Sequence, residues 1–297
     1  MSTLFISDLH LSPEQSAITQ LFLNFLRRQA RNAEALYILG DLFETWIGDD
    51  SVNAYHRTII AALAELTSSG IAIYFMPGNR DFLIGKHFIQ QTGCRYLPDP
   101  TVINLYGNPT LLTHGDMFCR LDKDYQRFRR WSRYPFWQFL FLHLPVSWRQ
   151  EIANYLRGQD HSNSSINAAK YDVVLSDLIA CSQNYPGIKQ IIHGHTHLPS
   201  IQLIKHANGE LRDNTDQNSS SSNINSQQLD FWQGAEKTSN RNVLSIHEDC
   251  ELSGNAEKNS SAKSLWIKCF VLSDWHSTRG NVLIATPDQT LSLVYFS

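Results

Sequence analysis

The chain has 297 residues, 42% of them hydrophobic, and a formal net charge of -3. This is enough apolar material for a large core. The acidic balance argues against a nucleic-acid binder, which is usually basic, and the five scattered cysteines, with no C-x-x-C pair, do not form a disulfide framework.

Met1 leads straight into an apolar strand, Thr3–Ser7, with no basic, apolar leader before it, so the N-terminus reads as mature and cytoplasmic. The periodicity then predicts a helix over Ile18–Arg28, a strand over Ala35–Leu39, a helix over Ala54–Leu66 and a strand over Ile71–Met76. Pro77-Gly78 stops that strand, and Thr110–Thr113 is the next. Towards the end, Gln190–Ile192, Ile201–Ile204, Lys268–Leu272, Val282–Ala285 and Leu291–Tyr295 read as strands. Alternating strands and helices followed by a run of strands predict an α/β protein with a layered sheet core.

Two segments break the rhythm. Residues 121–157 are crowded with aromatic side chains and hold seven basic against three acidic residues, which predicts a helical lid with a partner surface. Its most apolar stretch, Phe136–Val146, is far short of the roughly 20 residues a membrane span needs. Residues 207–264 are rich in Ser and Asn, and read as a largely disordered insertion at a hairpin tip. Both segments lie within what is expected to be a single domain, residues 1–297.

Five clusters carry chemistry: Asp8-Leu9-His10, Gly40-Asp41, Gly78-Asn79-Arg80-Asp81, His114-Gly115-Asp116 and His193-Gly194-His195-Thr196-His197. Each follows an apolar strand, and strand ends in open α/β sheets converge on one edge. Carboxylate, amide and imidazole donors without thiolates suit Mn, Fe or Zn. Two such ions about 3.5–4 Å apart can clamp a phosphoryl oxygen and supply a hydroxide nucleophile. The glycines within the clusters are expected to let the chain turn and to leave room for a substrate.

This order of motifs resembles the calcineurin-like metallophosphoesterases. The resemblance implies an αββα sandwich of two β-sheets flanked by helices. It implies one metal on Asp8, His10, Asp41 and His197, and a second on Asp41, Asn79, His114 and His195, with Asp41 bridging. His193 is not a ligand in that pattern. Within the superfamily, Phe-Ile-Ser-Asp-Leu-His-Leu-Ser, Gly-Asp-Leu-Phe-Glu-Thr-Trp-Ile-Gly-Asp-Asp and Gly-Asn-Arg-Asp-Phe-Leu-Ile-Gly are similar to the UDP-2,3-diacylglucosamine diphosphatases of lipid A biosynthesis. That resemblance implies two Mn²⁺ per chain, catalytic roles for Asp41, Asn79, Arg80 and His114, and substrate contacts from Asn79, Arg80, Asp122, Asn163, Asn167, Lys170 and His195. It also implies UDP-2,3-diacylglucosamine as substrate and a peripheral position on the cytoplasmic face of the inner membrane. Neither a nucleic acid nor a protein partner is expected.

The residue after the motif Asn is commonly His in the superfamily and is Arg80 here. A guanidinium does not donate a proton near neutral pH, but it pairs well with phosphate oxygens, which favours a diphosphate substrate. The readings left open are another phosphodiesterase or phosphatase of the same fold, and a non-catalytic scaffold.

Overall fold

The computed structural model describes residues 1–164, 175–197, 200–206, 243–246, 265–272 and 275–297. Its strands are β1 (Thr3–Ile6), β2 (Ala35–Leu39), β3 (Ala72–Met76), β4 (Arg95–Tyr96), β5 (Thr101–Leu105) and β6 (Asn108–Thr113) in the first half. They continue with β7 (Gln190–His193), β8 (Ser200–His206), β9 (Val243–Ile246), β10 (Leu265–Val271), β11 (Gly280–Ala285) and β12 (Leu291–Phe296). The helices are α1 (Ser16–Arg28), α2 (Ala54–Ser68), α3 (Lys86–Thr92), α4 (Lys123–Ser132), α5 (Pro135–Leu142), α6 (Val146–Ser164) and α7 (Leu175–Gln183).

Two mixed sheets result, in the orders β4-β3-β2-β1-β11-β12-β9 and β5-β6-β7-β10-β8. Side-chain alternation along the strands explains the layering. In β2, Leu36 and Ile38 face α1 and α2, packing with Phe22, Phe25 and Leu63, while Leu39 faces the other sheet. Phe5, Met76, Leu112, Ile192 and Phe270 complete the seam between the sheets. On the outer face of the second sheet, Leu111, Ile191, Ile267 and Cys269 pack with Leu178 of α7. The order helix, sheet, sheet, helix is the expected αββα sandwich.

The predicted elements recur within a few residues of their expected ends. Helix α2 starts where Asn53 closes a capping box, its side chain accepting from the His56 backbone N–H at 3.1 Å. Two short strands and two helices were not foreseen. β4 has two residues, too few for any period; β5 is an edge strand with alternating exposure; α3 and α7 run to 7 and 9 residues.

The polar insertion holds the apolar run Val243-Leu244-Ser245-Ile246, which is expected to be able to dock on a neighbour or a membrane. β8 and β10 form the expected antiparallel hairpin, with Leu265 opposite His206. Between them, however, Val243–Ile246 leaves the hairpin and pairs antiparallel with β12, from Leu291 opposite Ile246 to Val294 opposite Val243. β9 is thus an edge strand of the first sheet, because the β-rich tetrapeptide Val-Leu-Ser-Ile finds an open ladder there. The remaining insertion residues, 207–242 and 247–264, lie outside the described residues.

β11 and β12 stand between β9 and the strands β1, β2 and β3, which carry three of the clusters, and the other two clusters follow strands of the second sheet. Replacing residues 207–264 by a short Asn-Gly turn should therefore lower the thermal midpoint by roughly 2–4 °C, as loss of about 1 kcal/mol does in a chain of this size. Bound metal, measured by elemental analysis, should stay at the wild-type level.

Candidate metal centre

β1, β2 and β3 are parallel neighbours in one sheet, and β6 and β7 are parallel neighbours in the other. Their C-terminal ends meet at one edge of the sandwich. Asp8 and His10 follow β1, Asp41 follows β2, Asn79 follows β3, His114 follows β6, and His195 and His197 follow β7. All seven residues of the expected ligand set are brought together there.

Asp41 lies at the middle and is 1% exposed. Its Oδ2 is 3.8 Å from His10 Nε2, and its Oδ1 is 3.7 Å from His114 Nε2. One carboxylate thus faces two separate imidazoles. On the first side, the His10 and His197 rings stack at 5.1 Å and His197 Nε2 is 4.0 Å from Asp8 Oδ1. On the second side, His114 Nε2 and His195 Nδ1 converge on Asn79 Oδ1 at 2.9 and 3.0 Å. Among the described residues, two groupings have ligand atoms close enough to hold an ion: Asp8, His10 and His197, and Asp8, Asp41 and His114. Asp8 belongs to both, so it reaches further into the cluster than the one-sided role the resemblance implies.

The donor chemistry fits cations. Asp8 Oδ1 and His10 Nε2 are buried without a hydrogen-bond partner among the described residues. Such groups are costly to bury unless a partner compensates them, and a metal does so. His10 is oriented by Glu44, whose Oε2 is 3.0 Å from His10 Nδ1, leaving Nε2 to the site. The Leu39 carbonyl, 2.9 Å from His114 Nδ1, plays the same part for His114. Burial opposes charge on His114, but the Asp41, Asp8 and Asp116 carboxylates override it and raise its pKa to about 9. Burial and the nearby His114 charge instead lower His195 to about 3, so that ring stays neutral. A field that favours a proton on His114 favours a metal cation in the same place.

Backbone geometry singles out the same residues. Asp8, His10, Asp41, His195 and His197 all have positive φ, between 50° and 72°. Each such residue costs roughly 1 kcal/mol or more when it is not glycine. Strain gathered on five ligands belongs to a function and not to stability.

The motif glycines serve the ligands. A Cβ at Gly78 would overlap Asp41 Oδ1 and the Asp41 backbone N, and one at Gly194 would overlap Ser7 Oγ and Asp8 Oδ2. The space they leave is therefore taken by the neighbouring ligand loop, and not by substrate as expected. Asp81 braces two of these loops: its carboxylate accepts from Gly78 N at 2.7 Å and Leu42 N at 2.8 Å. Asp41 accepts from Arg80 N at 2.8 Å, and Asp8 from His195 N at 2.9 Å. His193 is buried, with Nδ1 2.9 Å from the Gly194 carbonyl, and stays out of the cluster.

Asp116, the last residue of its motif, had no expected role. It is fully buried, and Tyr125 Oη, Arg129 Nε and Arg133 donate to its Oδ2 at 2.6, 2.8 and 3.0 Å. Burial pushes its carboxyl pKa up, but Arg133, His114 and Arg129 together hold it well below the usual carboxylate range. Arg133 also donates to the Gly78 carbonyl at 2.9 Å, and the Tyr125 ring stacks near His195 at 6.4 Å. α4 is thereby fastened against the His114–His195 end of the site. The signal was present in the sequence as Arg129 and Arg133, one helical turn apart and following a buried motif Asp.

The basic residues of the lid need correcting accordingly. Arg129 and Arg133 turn inward to Asp116, and Arg149 is buried against Asp50 and the Ile47 carbonyl. Lys123, Arg127 and Arg130 remain exposed. Asp122 caps α4, accepting from Tyr125 N at 2.9 Å. Asn163 falls within α6, but its side chain is not among those described, and Asn167 and Lys170 lie outside the described residues.

Residues 1–199 match the calcineurin-like phosphoesterase family. The chain belongs to that family. A UDP-2,3-diacylglucosamine hydrolase of Pseudomonas paraeruginosa is 48% identical over 205 residues, 69% of this chain and 85% of the relative. The enzyme of the same name from Xanthomonas campestris pv. campestris is 47% identical over 213 residues, covering 69% and 86%. That from Photobacterium profundum is 46% identical over 208 residues, covering 69% and 84%. As a calcineurin-like phosphoesterase the chain is a hydrolase that binds divalent metal.

Gly194→Ala should disable the site without removing any donor, because the new Cβ forces apart Ser7 and Asp8. A metal affinity at least about tenfold weaker than wild type is expected in calorimetric titration. Wild-type affinity in that variant would contradict the close packing of the two loops.

Proposed function

We propose that this protein hydrolyses the pyrophosphate bond of UDP-2,3-diacylglucosamine, giving UMP and 2,3-diacylglucosamine 1-phosphate. The observation that carries the reading is the convergence of seven donors on one sheet edge, with Arg80 following Asn79 in a chain 48% identical to a hydrolase named for that substrate. Asp8, His10, Asp41 and His197 would hold one ion and Asp41, Asn79, His114 and His195 the other; we take both to be Mn²⁺, which suits a set of oxygen and imidazole donors. When bound, the ions supply positive charge for the phosphoryl oxygens and a hydroxide at neutral pH.

The chain's own residues then divide the work. Glu44 and the Leu39 carbonyl hold the His10 and His114 rings in place. Asn79, fixed beside His114 and His195, and Arg80, beside it, meet the diphosphate oxygens. Oxygen from water bonds to the phosphorus next to uridine, and the bond from that phosphorus to the bridging oxygen breaks, so the lipid 1-phosphate leaves. α4 to α6 receive the acyl chains.

Exposure of the lid supports a membrane-facing role. Trp131, Tyr134, Phe136, Phe139, Trp148 and Tyr155 are each more than half exposed. Single exposed apolar residues are ordinary, but a contiguous aromatic surface marks an interaction site. No helix among the described residues is long and apolar enough to cross a membrane. Peripheral docking on the cytoplasmic face of the inner membrane is the reading this surface favours, through aromatic insertion more than through arginines.

The deciding assay is release of UMP from UDP-2,3-diacylglucosamine with added Mn²⁺; a protein that loads metal yet cleaves only a simple aryl phosphodiester would refute the substrate. Arg80→Ala should retain its metal and lose about 10²–10³ in turnover, the usual effect of removing one preorganised charge-stabilising donor. Arg80→Lys should recover only part of that loss, since it lacks the planar fork.

Changing Phe136 and Phe139 together to Ser should reduce partitioning onto anionic phospholipid vesicles by about 100-fold, taking about 1.5 kcal/mol for each inserted ring. Co-sedimentation measures this, and unchanged partitioning with normal folding would remove the lid from the membrane.

A further inference from the structure

A cavity of about 590 Å³ opens from the His10–His197 side of the metal centre. Arg80 and Glu44 form its inner wall, and Glu14, Gln15 and Ser16, at the entry to α1, form another. Trp275, His276 and Ser277 close the remaining side. Among the described residues, none of α4, α5 or α6 lines it. Those helices are fastened to the opposite end, through Tyr125 beside His195 and Arg133 on the Gly78 carbonyl. The metal centre therefore has two unlike neighbours, an aromatic lid on one side and a cavity of mixed polar and apolar lining on the other.

We propose that this cavity binds the nucleoside monophosphate half of the substrate, an assignment that rests on the diphosphatase reading above. Its volume lies within the range of about 300–1,000 Å³ usual for small-molecule sites. Its lining is mixed, with Glu14, Gln15, Ser16, His276 and Ser277 beside Ala17, Ile18 and Trp275, and an acyl chain would strip water from the five polar side chains without replacing their hydrogen bonds. A nucleoside replaces them. The Glu14 carboxylate accepts from ribose hydroxyls, and the Gln15 amide, donor and acceptor together, matches the alternating edge of a pyrimidine imide. Trp275 supplies a buried wall whose indole N–H has no hydrogen-bond partner among the described residues. Arg80 and His197 stand at the inner end, where the phosphate must reach the metal centre. The diphosphate then spans the centre, with the nucleotide leaving towards the cavity and the lipid towards the lid.

Calorimetric titration of full-length protein in Mn²⁺ with UMP, and separately with inorganic phosphate, tests this. UMP should bind more tightly than phosphate. Glu14→Ala and His276→Ala, both at exposed positions, should each weaken UMP by about tenfold, the effect of a lost hydrogen bond to a charged group, and leave phosphate affinity unchanged. UMP binding no tighter than phosphate, or an equal loss of both ligands in the variants, overturns the subsite. Should UMP bind in this variant-sensitive way while UDP-2,3-diacylglucosamine is not cleaved, the diphosphatase reading falls and the nucleotide site stands. Normal cleavage with UMP binding indifferent to Glu14 and His276 removes the subsite alone.

Discussion

A carboxylate buried where two sheets meet governs the architecture of this protein. Asp41 is almost wholly enclosed, and an ionised carboxylate in such a place costs several kcal/mol unless positive charge and N–H groups surround it. The Arg80 backbone N–H answers one oxygen, and His10 and His114 approach from opposite sides. Burial pushes the Asp41 carboxyl up, yet His114, His10 and Arg80 together hold its pKa below the usual value. Every neighbouring element is placed by that requirement. β2 must end at the seam, Gly78 must lack a side chain so that β3's loop can touch Asp41, and β6 must deliver His114 from the facing sheet. The strained backbones of five ligands are the local consequence, sustained by two cores that the ligands do not share.

A second buried carboxylate links that centre to the lid. Asp116 belongs to the same loop as His114, so whatever fixes one restrains the other. Its partners Tyr125, Arg129 and Arg133 all come from α4 or its C-cap, and Arg133 reaches on to the loop that carries Asn79. Arg149 makes a comparable anchor further along, buried against Asp50 near Gly48. Removing a single member of such a buried pair strands the other charge. The lid can therefore show a wide aromatic face to its surroundings and remain attached, because charged groups, and not its apolar residues, fix it to the body. α5 has no buried residue at all.

The sequence made the metal centre legible because its chemistry is local. Asp8-x-His10 and His195-x-His197 place two donors within one turn of chain, and the apolar strand before each cluster fixes which edge it occupies. The sandwich was legible for a related reason, since β1, β2, β3, β6 and β7 are apolar enough to stand out. What was hidden is relational. The one-turn spacing of Arg129 and Arg133 hints at a shared partner, but that the partner is Asp116, and that Phe136 and Phe139 turn out, is set by contacts between elements that the order of residues does not state. Glu44 was equally hidden, as its partner His10 is 34 residues away. Val243–Ile246 is a short apolar run in a polar segment, and it is the open edge of β12 that makes it a strand.

The presence of Arg80 beside Asn79 follows from what leaves the site. In a phosphodiester the departing group is an alkoxide, which is a poor leaving group unless a nearby acid protonates it. In a diphosphate the departing group is itself a phosphate monoester, whose second pKa is about 6, so it departs at neutral pH without a proton. What its departure needs is neutralisation of charge spread over several oxygens. A guanidinium supplies that in a fixed plane and holds its charge at any physiological pH, whereas a histidine there would be charged only part of the time. The field of the site is not uniform: it raises His114 to about 9 and lowers His195 to about 3. Whether an imidazole in this neighbourhood holds a proton therefore depends on its place, whereas a guanidinium is charged by its own chemistry. A substrate whose leaving group asks for charge and not for a proton is the one that such a residue serves.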